Sequence, residues 1–352
     1  MTLEETISAI RPGDPTAQDA ARRWWDRLAK PLGSLGQLED AITKIAALTG
    51  DPDVRLDKRM LFVACADNGV VCQGVSQSDE SVTRAVTRAL GQGTSTVNYL
   101  AAQANCTVIP VDIGVKDLDF TDGVLPRKCK NGTDDCSAGP AMTRAECTQA
   151  IETGIALALE AKAQGADILL TGEMGIGNTT TSSALVSVFL NCPPEKVTGR
   201  GAGLSSAGLE RKIKAIETAI QLNQPNPADP IDVLSKVGGL DLAGLCGVFL
   251  GGAACHIPVL VDGFISSAAA LAAARLCPNA VDYMLGSHAS NEPAGRMVLE
   301  DLGLKPFLYA NMCLGEGTGA AAVMPLLDMA LAVYDGMTTF ADEQIEAYQP
   351  LT

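Results

Sequence analysis

Ile168-Leu169-Leu170-Thr171-Gly172-Glu173-Met174-Gly175-Ile176-Gly177-Asn178-Thr179-Thr180-Thr181-Ser182 is the stretch on which the fold turns. A short apolar run passes through a glycine-rich turn into a segment with helical patterning, the strand–loop–helix order of a parallel α/β sheet. In such sheets ligands bind where strand ends hand over to helices, because loop amides and helix N-termini converge there. Small residues let the backbone approach a ligand closely. Asn178 and Thr179 to Thr181 are expected to cap the helix and to offer N–H and hydroxyl donors to an anion, with Glu173 on the same turn. Read alone, the same residues also describe a plain capped turn carrying a surface glutamate.

The texture repeats on either side. Strands are expected at Met60 to Ala66, Thr107 to Val115, Asp167 to Thr171, Ile257 to Val261 and Tyr283 to Gly286. Helices are expected at Ser81 to Ala102, Thr143 to Gln164, Thr180 to Leu190 and Ser206 to Asn223, the last burying Leu209, Ile213, Ile216 and Ile220. Lys116 to Cys136 reads as a loop and Gln224 to Pro230 as a break. Residues 4 to 50 show only helical spacing, interrupted by the turn from Lys30 to Gly36, and Ala320 to Tyr348 is again helical. Helical ends of residues 1–50 and 325–352 are therefore expected to pack together as a small domain beside an α/β domain of residues 51–324.

Composition narrows the function. The 352 residues carry 26 basic and 41 acidic side chains, a net charge of −15, which repels nucleic acid. Two histidines, His256 and His288, exclude a three-histidine zinc site. His256 reads as a core or helix-end residue, and His288, in a polar turn after a strand, as a group that could face a pocket. Eleven cysteines without a two-residue gap point to reduced, buried thiols rather than metal or disulfide roles. No secretory pattern opens the chain, so a cytoplasmic location is expected. Leu242 to Val261 is uncharged and long enough for a membrane span, but four glycines, His256 and Pro258 make it a buried helix followed by a buried strand. The 35 glycines suit tight turns and close helix packing.

Two further loops sit at strand–helix junctions. Gly199-Arg200-Gly201-Ala202-Gly203-Leu204-Ser205-Ser206 opens a helix containing Lys212 and Lys214, whose charges oppose the helix dipole unless an anion compensates; a flexible turn with solvated lysines is the alternative. Leu314-Gly315-Glu316-Gly317-Thr318-Gly319 places a carboxylate amid glycines, where desolvation would raise its pKa and make it a better proton acceptor near neutrality. A glutamate favoured by the dipole at a helix N-terminus reads equally well. No G-x-G-x-x-G fingerprint, P-loop or G-x-S-x-G elbow occurs at these junctions, which weakens a nicotinamide-dependent oxidoreductase.

Taken together, KPLGSLGQLE at 30–39, CADNGV at 65–70, GPAMT at 139–143, TGEMGIGNTTT at 171–181, NQPNP at 223–227, DVLSKVGGLDLAG at 232–244, PVLVDGF at 258–264, SHAS at 287–290 and LGEGTGAA at 314–321 resemble the nicotinate-nucleotide:dimethylbenzimidazole phosphoribosyltransferase family over nearly the whole chain. The resemblance implies a Rossmann-like, parallel-sheet α/β domain with a small helical domain from both termini, and a homodimer. It also implies transfer of the 5-phosphoribosyl group from nicotinate mononucleotide to 5,6-dimethylbenzimidazole or a related lower-ligand base, giving α-ribazole 5′-phosphate and nicotinate in cobalamin nucleotide-loop assembly. No cofactor, metal, nucleic acid or membrane is called for.

By that resemblance Glu316 is the catalytic base and Glu173 a second acid near the ribose and reaction centre. Gly175, Asn178, Thr179, Gly201, Ala202 and Lys212 hold phosphate and ribose. Pro31, Gly33, Ser34, Met174, Asp262, Ser290 and Leu314 are further pocket residues, and Ser78 and Val86 belong to the wall of the base pocket. Three positions depart from the family pattern: Asn68 stands where histidine is usual, GTDD at 132–135 differs from the common ending in asparagine, and Val86 replaces a frequent glutamine. An apolar Val86 cannot hydrogen-bond a substrate edge, which leaves other benzimidazoles, purines and phenolic acceptors open. A non-catalytic nucleotide- or benzimidazole-binding module of the same fold is the alternative to an enzyme, and intact Glu316 and Glu173 argue against it.

Overall fold

Parallel strands alternate with helices along most of the chain in the computed structural model, which describes residues 1–119 and 121–349. Phe120, in the expected 116–136 loop, and residues 350–352, at the end of the expected C-terminal helical segment, lie outside the described residues. The order is α1 (Leu3–Ala9), α2 (Pro15–Arg27), α3 (Gln37–Thr49), β1 (Arg59–Ala66), α4 (Glu80–Gly91), α5 (Thr96–Gln103), β2 (Cys106–Gly114) and β3 (Leu125–Pro126). It continues with α6 (Arg144–Ala163), β4 (Ile168–Met174), α7 (Asn178–Phe189), α8 (Pro194–Val197), α9 (Ser206–Asn223), α10 (Pro230–Val237) and α11 (Leu240–Ala254). The last elements are β5 (Val259–Val261), α12 (Phe264–Leu276), β6 (Met284–Gly286), α13 (Pro293–Asp301) and α14 (Thr318–Gly336).

The sheet runs β3-β2-β1-β4-β5-β6 with every neighbouring pair parallel. The chain starts at β1, winds outward to β3, then returns to the other side of β1 and winds outward again. That reversal leaves a crevice beyond the carboxyl ends of β1 and β4, where a doubly wound sheet binds its ligand.

Both faces of the sheet are covered, and the two-residue period of β1 distributes its side chains between two cores. Met60, Phe62, Ala64 and Ala66 join the core with α6, α7, α11 and α12, while Leu61, Val63 and Cys65 join the one with α2, α3 and α14. The abundant glycine is used where α6 meets α11: a Cβ on Gly154 would lie 1.9 Å from the Gly244 carbonyl oxygen, and one on Gly247 the same distance from that of Ile151. Leu242 to Val261 is a buried helix followed by a buried strand, as expected. α14 is long and apolar enough to cross a membrane by length and composition. Its Ala320, Val323, Met324 and Leu327 are nevertheless buried, and it packs on α3, α5 and β4 as a core helix does.

Several expectations are corrected. Ser81 to Ala102 is two helices, because Gly93 takes φ +75° and Ser95 opens a new helix with a capping box to Asn98. The expected 116–136 loop contributes the edge strand β3. The helix expected to Tyr348 ends at Gly336, after which Thr339 bridges back to Leu28. On α9 only Ile216 of the four named apolar residues is fully buried, and the inward face also carries Gly208, Lys212, Ala215 and Ala219. The buried face is thus offset from the apolar period and carries a lysine. Of the two readings of His256 the helix-end one holds: it is exposed just beyond α11, where Nδ1 lies 2.8 Å from the Tyr283 hydroxyl.

Candidate active site

The crevice opens into a cavity of about 830 Å³, open solvent at its mouth included. Its walls come from the loops after β4, β5 and β6, the Gly199–Ser206 loop and the turn before α14. Glu173, Met174, Gly175, Asn178, Thr179, Gly201, Ala202, Asp262, Ser290, Leu314 and Glu316, separated by as many as 143 positions, all line it. His288 also faces it, buried, with Nδ1 4.0 Å from Asp262 Oδ1.

One side of the cavity suits an anion. Gly177, at φ +93°, precedes α7 without a side-chain cap, which corrects the expectation that Asn178 would cap the helix; the Asn178 and Thr180 amides donate to the Gly175 and Gly177 carbonyls at 3.0 and 2.9 Å, which leaves the Thr179 amide for a ligand. Lys212 reaches this place from α9 and is fully buried. Its Nζ donates to Thr179 Oγ1 at 2.8 Å and to the Gly199 carbonyl at 3.1 Å. Burial, partly offset by Glu292, pushes the ammonium down to about 8, and a bound anion would favour its charged form. Lys214 points outward to Glu217 at 3.1 Å and takes no part. The Gly201 amide, opposite Thr179, donates to Glu292 Oε1 at 3.0 Å.

The other side holds carboxyl groups. Glu173, at the end of β4, is 5% exposed and accepts a short hydrogen bond from Asn178 Nδ2. Burial, then the charge of Asp241, raises its pKa to about 8. Glu316 sits between Gly315 and Gly317 with φ values of +91°, +60° and +90° along the three residues. A non-glycine residue is held in the left-handed region there, the kind of strain that collects at functional sites. Its Oε2 is buried without a hydrogen-bond partner. Burial raises the pKa of Glu316, tempered by the Val97 amide and the Ser95 hydroxyl. Asp262 holds the strained turn in place, because its carboxylate accepts from the Gly317 and Ala320 amides at 3.2 and 2.9 Å. Gly172 permits the same approach: a Cβ there would lie 2.4 Å from the Glu316 carbonyl oxygen.

Six residues expected at the site do not line this cavity: Lys212, fully buried behind Thr179, and five others. Pro31, Gly33 and Ser34 are exposed in the turn between α2 and α3, and Ser78 and Val86 are half-buried before and on α4. Ser76 lines the cavity from that segment instead. Sequence reasoning missed Glu292, whose only visible signal is its place two residues after Ser290 in a polar turn.

Amides and a cation at one end, with desolvated carboxyl groups at the other, suit a sugar phosphate whose anomeric carbon becomes electron-poor. A family profile described as phosphoribosyltransferase matches residues 10–345, which sets the class of enzyme. Nicotinate-nucleotide–dimethylbenzimidazole phosphoribosyltransferase from Acetivibrio thermocellus is 48% identical over 348 residues, 99% of each chain. Its counterpart from Chloroflexus aggregans is 49% identical over 341 residues, 97% of each. The crystal structure of CobT from Thermus thermophilus matches with a TM-score of 0.90 at 39% identity, covering 95% of this chain and 100% of that one. The chain belongs to the nicotinate-nucleotide–dimethylbenzimidazole phosphoribosyltransferase family.

Proposed function

We propose that the protein transfers the 5-phosphoribosyl group of nicotinate mononucleotide to 5,6-dimethylbenzimidazole or a related lower-ligand base. The products are nicotinate and α-ribazole 5′-phosphate, used in cobalamin nucleotide-loop assembly. The phosphate, with roughly two negative charges, sits against the Thr179 amide at the start of α7, Gly175, Gly201, Ala202 and Lys212, while Asn178 and Ser290 flank the ribose. A ring nitrogen of the base attacks C1′ from the face opposite the pyridinium, inverting β to α. The C1′–N bond electrons pass to the pyridine nitrogen, which leaves neutral and needs no acid. The other ring N–H of the base then gives its proton to Glu316. Glu173 faces the ribose, where a cationic ring and an oxocarbenium-like carbon favour its ionised form. Alignment of the two substrates between Met174 and Leu314 supplies much of the remaining acceleration.

The observation that carries this reading is Glu316, its backbone strained and one oxygen buried without a partner at the rim of the cavity. We further assign a cytoplasmic homodimer, with residues 1–50 and 325–352 as the small helical domain and 51–324 as the catalytic one. The free cysteines suit a reducing compartment. Tyr99 and Met329, exposed on the packed helices α5 and α14, offer apolar surface for a second copy. Pro31, Gly33 and Ser34 then reach a cavity only as a contribution to the partner's site. Incubation with nicotinate mononucleotide and a mixture of candidate bases, with products identified by mass spectrometry, tests the assignment. Base-dependent nicotinate release with an α-ribosyl product supports it; tight binding without turnover refutes it.

A further inference from the structure

We propose that Asp241, which does not line the cavity, is the positioning residue that decides where the buried carboxyl cluster keeps its proton, acting on Glu173 through the side-chain amide of Asn178. Asp241 lies in the first turn of α11, fully buried on a helix whose other residues through Ala253 are small or apolar. Its Oδ1 accepts from the Leu242 amide and its Oδ2 from Asn178 Nδ2, both at 3.0 Å. The second hydrogen on the same Nδ2 goes to Glu173 Oε2. One NH₂ group thus bridges two carboxyl groups, which fixes the orientation of Asn178, since its carbonyl oxygen would be repelled by either.

No cation answers this pair. Among the described residues neither Glu173 nor Asp241 forms a salt bridge. The groups facing Glu173 from other elements are Asp262, Glu316 and the Cys65 thiol, while Asn68 faces Asp241. His288 lies nearest Asp262. Two buried carboxylates sharing one donor cannot both ionise cheaply, so one proton is retained. Geometry puts it on Glu173. Asp241 has the Leu242 amide, the amides of Asn178 and Asn68, and the positive end of α11 to hold its charge, whereas Glu173 has Asn178 alone. Burial raises both groups, Glu173 to about 8 and Asp241 only to about 6. With Oε2 bound to Asn178, the proton belongs on Oε1, which faces Gly315 in the cavity wall. The catalytic consequence rests on the proposed function: an arriving pyridinium nucleotide meets a neutral Glu173 and displaces its proton. The proton's location in the empty protein does not rest on it.

Carbon-13 NMR of protein labelled at the glutamate side-chain carboxyls tests this without any turnover, the Glu173 resonance being the one lost in Glu173→Gln. In the unmodified protein Glu173 should titrate far above the ordinary glutamate range and show a second, smaller inflection at lower pH as Asp241 ionises. In Asp241→Asn, nearly isosteric, the main midpoint should fall by about one pH unit or more, a tenfold change in proton affinity, and the minor inflection should vanish. An unmoved midpoint overturns the proposal. So does a single step in the unmodified protein, which decides the matter even if the variant does not fold. Failure of phosphoribosyl transfer would leave this titration intact, so the two readings fail separately.

Discussion

Glu173 and Glu316 are the same chemical group on one wall of the cavity, Glu173 Oε1 lying against Gly315 beside Glu316, and both hold their protons more tightly than a free glutamate. They reach that state by different means. Glu173 ends a regular buried strand, in a cluster that donates to it and repels its charge. Glu316 sits on a turn with three successive positive φ values, half-exposed, with an unpartnered oxygen. The difference teaches what each can do. A carboxyl group surrounded by fixed partners keeps a proton in place, whereas one with an unpartnered oxygen on a braced but strained turn at the cavity can take a proton from a ligand.

The largest effect should come from removing the acceptor. Glu316→Gln should lower kcat for base-dependent nicotinate release by about 10²-fold or more, the scale of general base catalysis, with little change in nucleotide KM. Activity equal to the parent's would erase the distinction between the two glutamates. Next comes the anion end: Lys212→Met should raise the nucleotide KM by roughly 10- to 100-fold, the scale of a charged hydrogen bond, while kcat in saturating nucleotide falls less. An unchanged KM would place the phosphate elsewhere.

Stability separates the glutamates further. A carboxyl group whose folded pKa lies above its unfolded value binds its proton more tightly in the folded state, so stability is full below the unfolded pKa and falls as pH rises toward the folded one. For Glu173 that window runs from its ordinary value of 4.5 up to about 8. Thermal melts of Glu173→Gln, which cannot ionise, should therefore gain on the parent steadily between pH 5 and 8; a constant offset would show that Glu173 is not protonated in the folded state. Glu316→Gly should instead stabilise by about 1 kcal/mol from relieved left-handed strain while abolishing turnover. A loss of stability would mean the turn is not strained. The smallest change concerns selectivity. Val86→Gln should improve use of purine-like bases relative to dimethylbenzimidazole by about tenfold or less, judged by competition in a mixed assay; an unaltered product ratio would remove Val86 from the base wall.

The strand–loop–helix junction after Ile168–Leu170 and the glycine turn around Glu316 were readable because their signals are local, although the stretch before Gly315 follows α13 and not a strand. Family resemblance added Asp262, which no local pattern announces, and chose Lys212 over Lys214, which the dipole argument had left equal. What stayed hidden depends on tertiary contacts. The apolar residues of α9 follow helical spacing, yet Lys212 is turned inward by its bonds to Thr179 and Gly199. Asn178 looks like a helix cap but spends its side chain on two carboxyl groups. Asp241 begins an apolar helix in sequence, and only the fold brings it beside Asn178. Pro31, Gly33 and Ser34 fall outside the cavity, in the exposed turn between α2 and α3.

The central claim is that Glu316 takes the proton from the incoming base, and the pH dependence of kcat/KM for base-dependent nicotinate release tests it most directly. We expect an acid limb with its midpoint above the ordinary glutamate value, since Glu316 must be ionised to accept a proton and burial raises its pKa. The residual activity of Glu316→Gln should lack that limb. A profile flat through the glutamate range, or the same limb persisting in the variant, would contradict the claim.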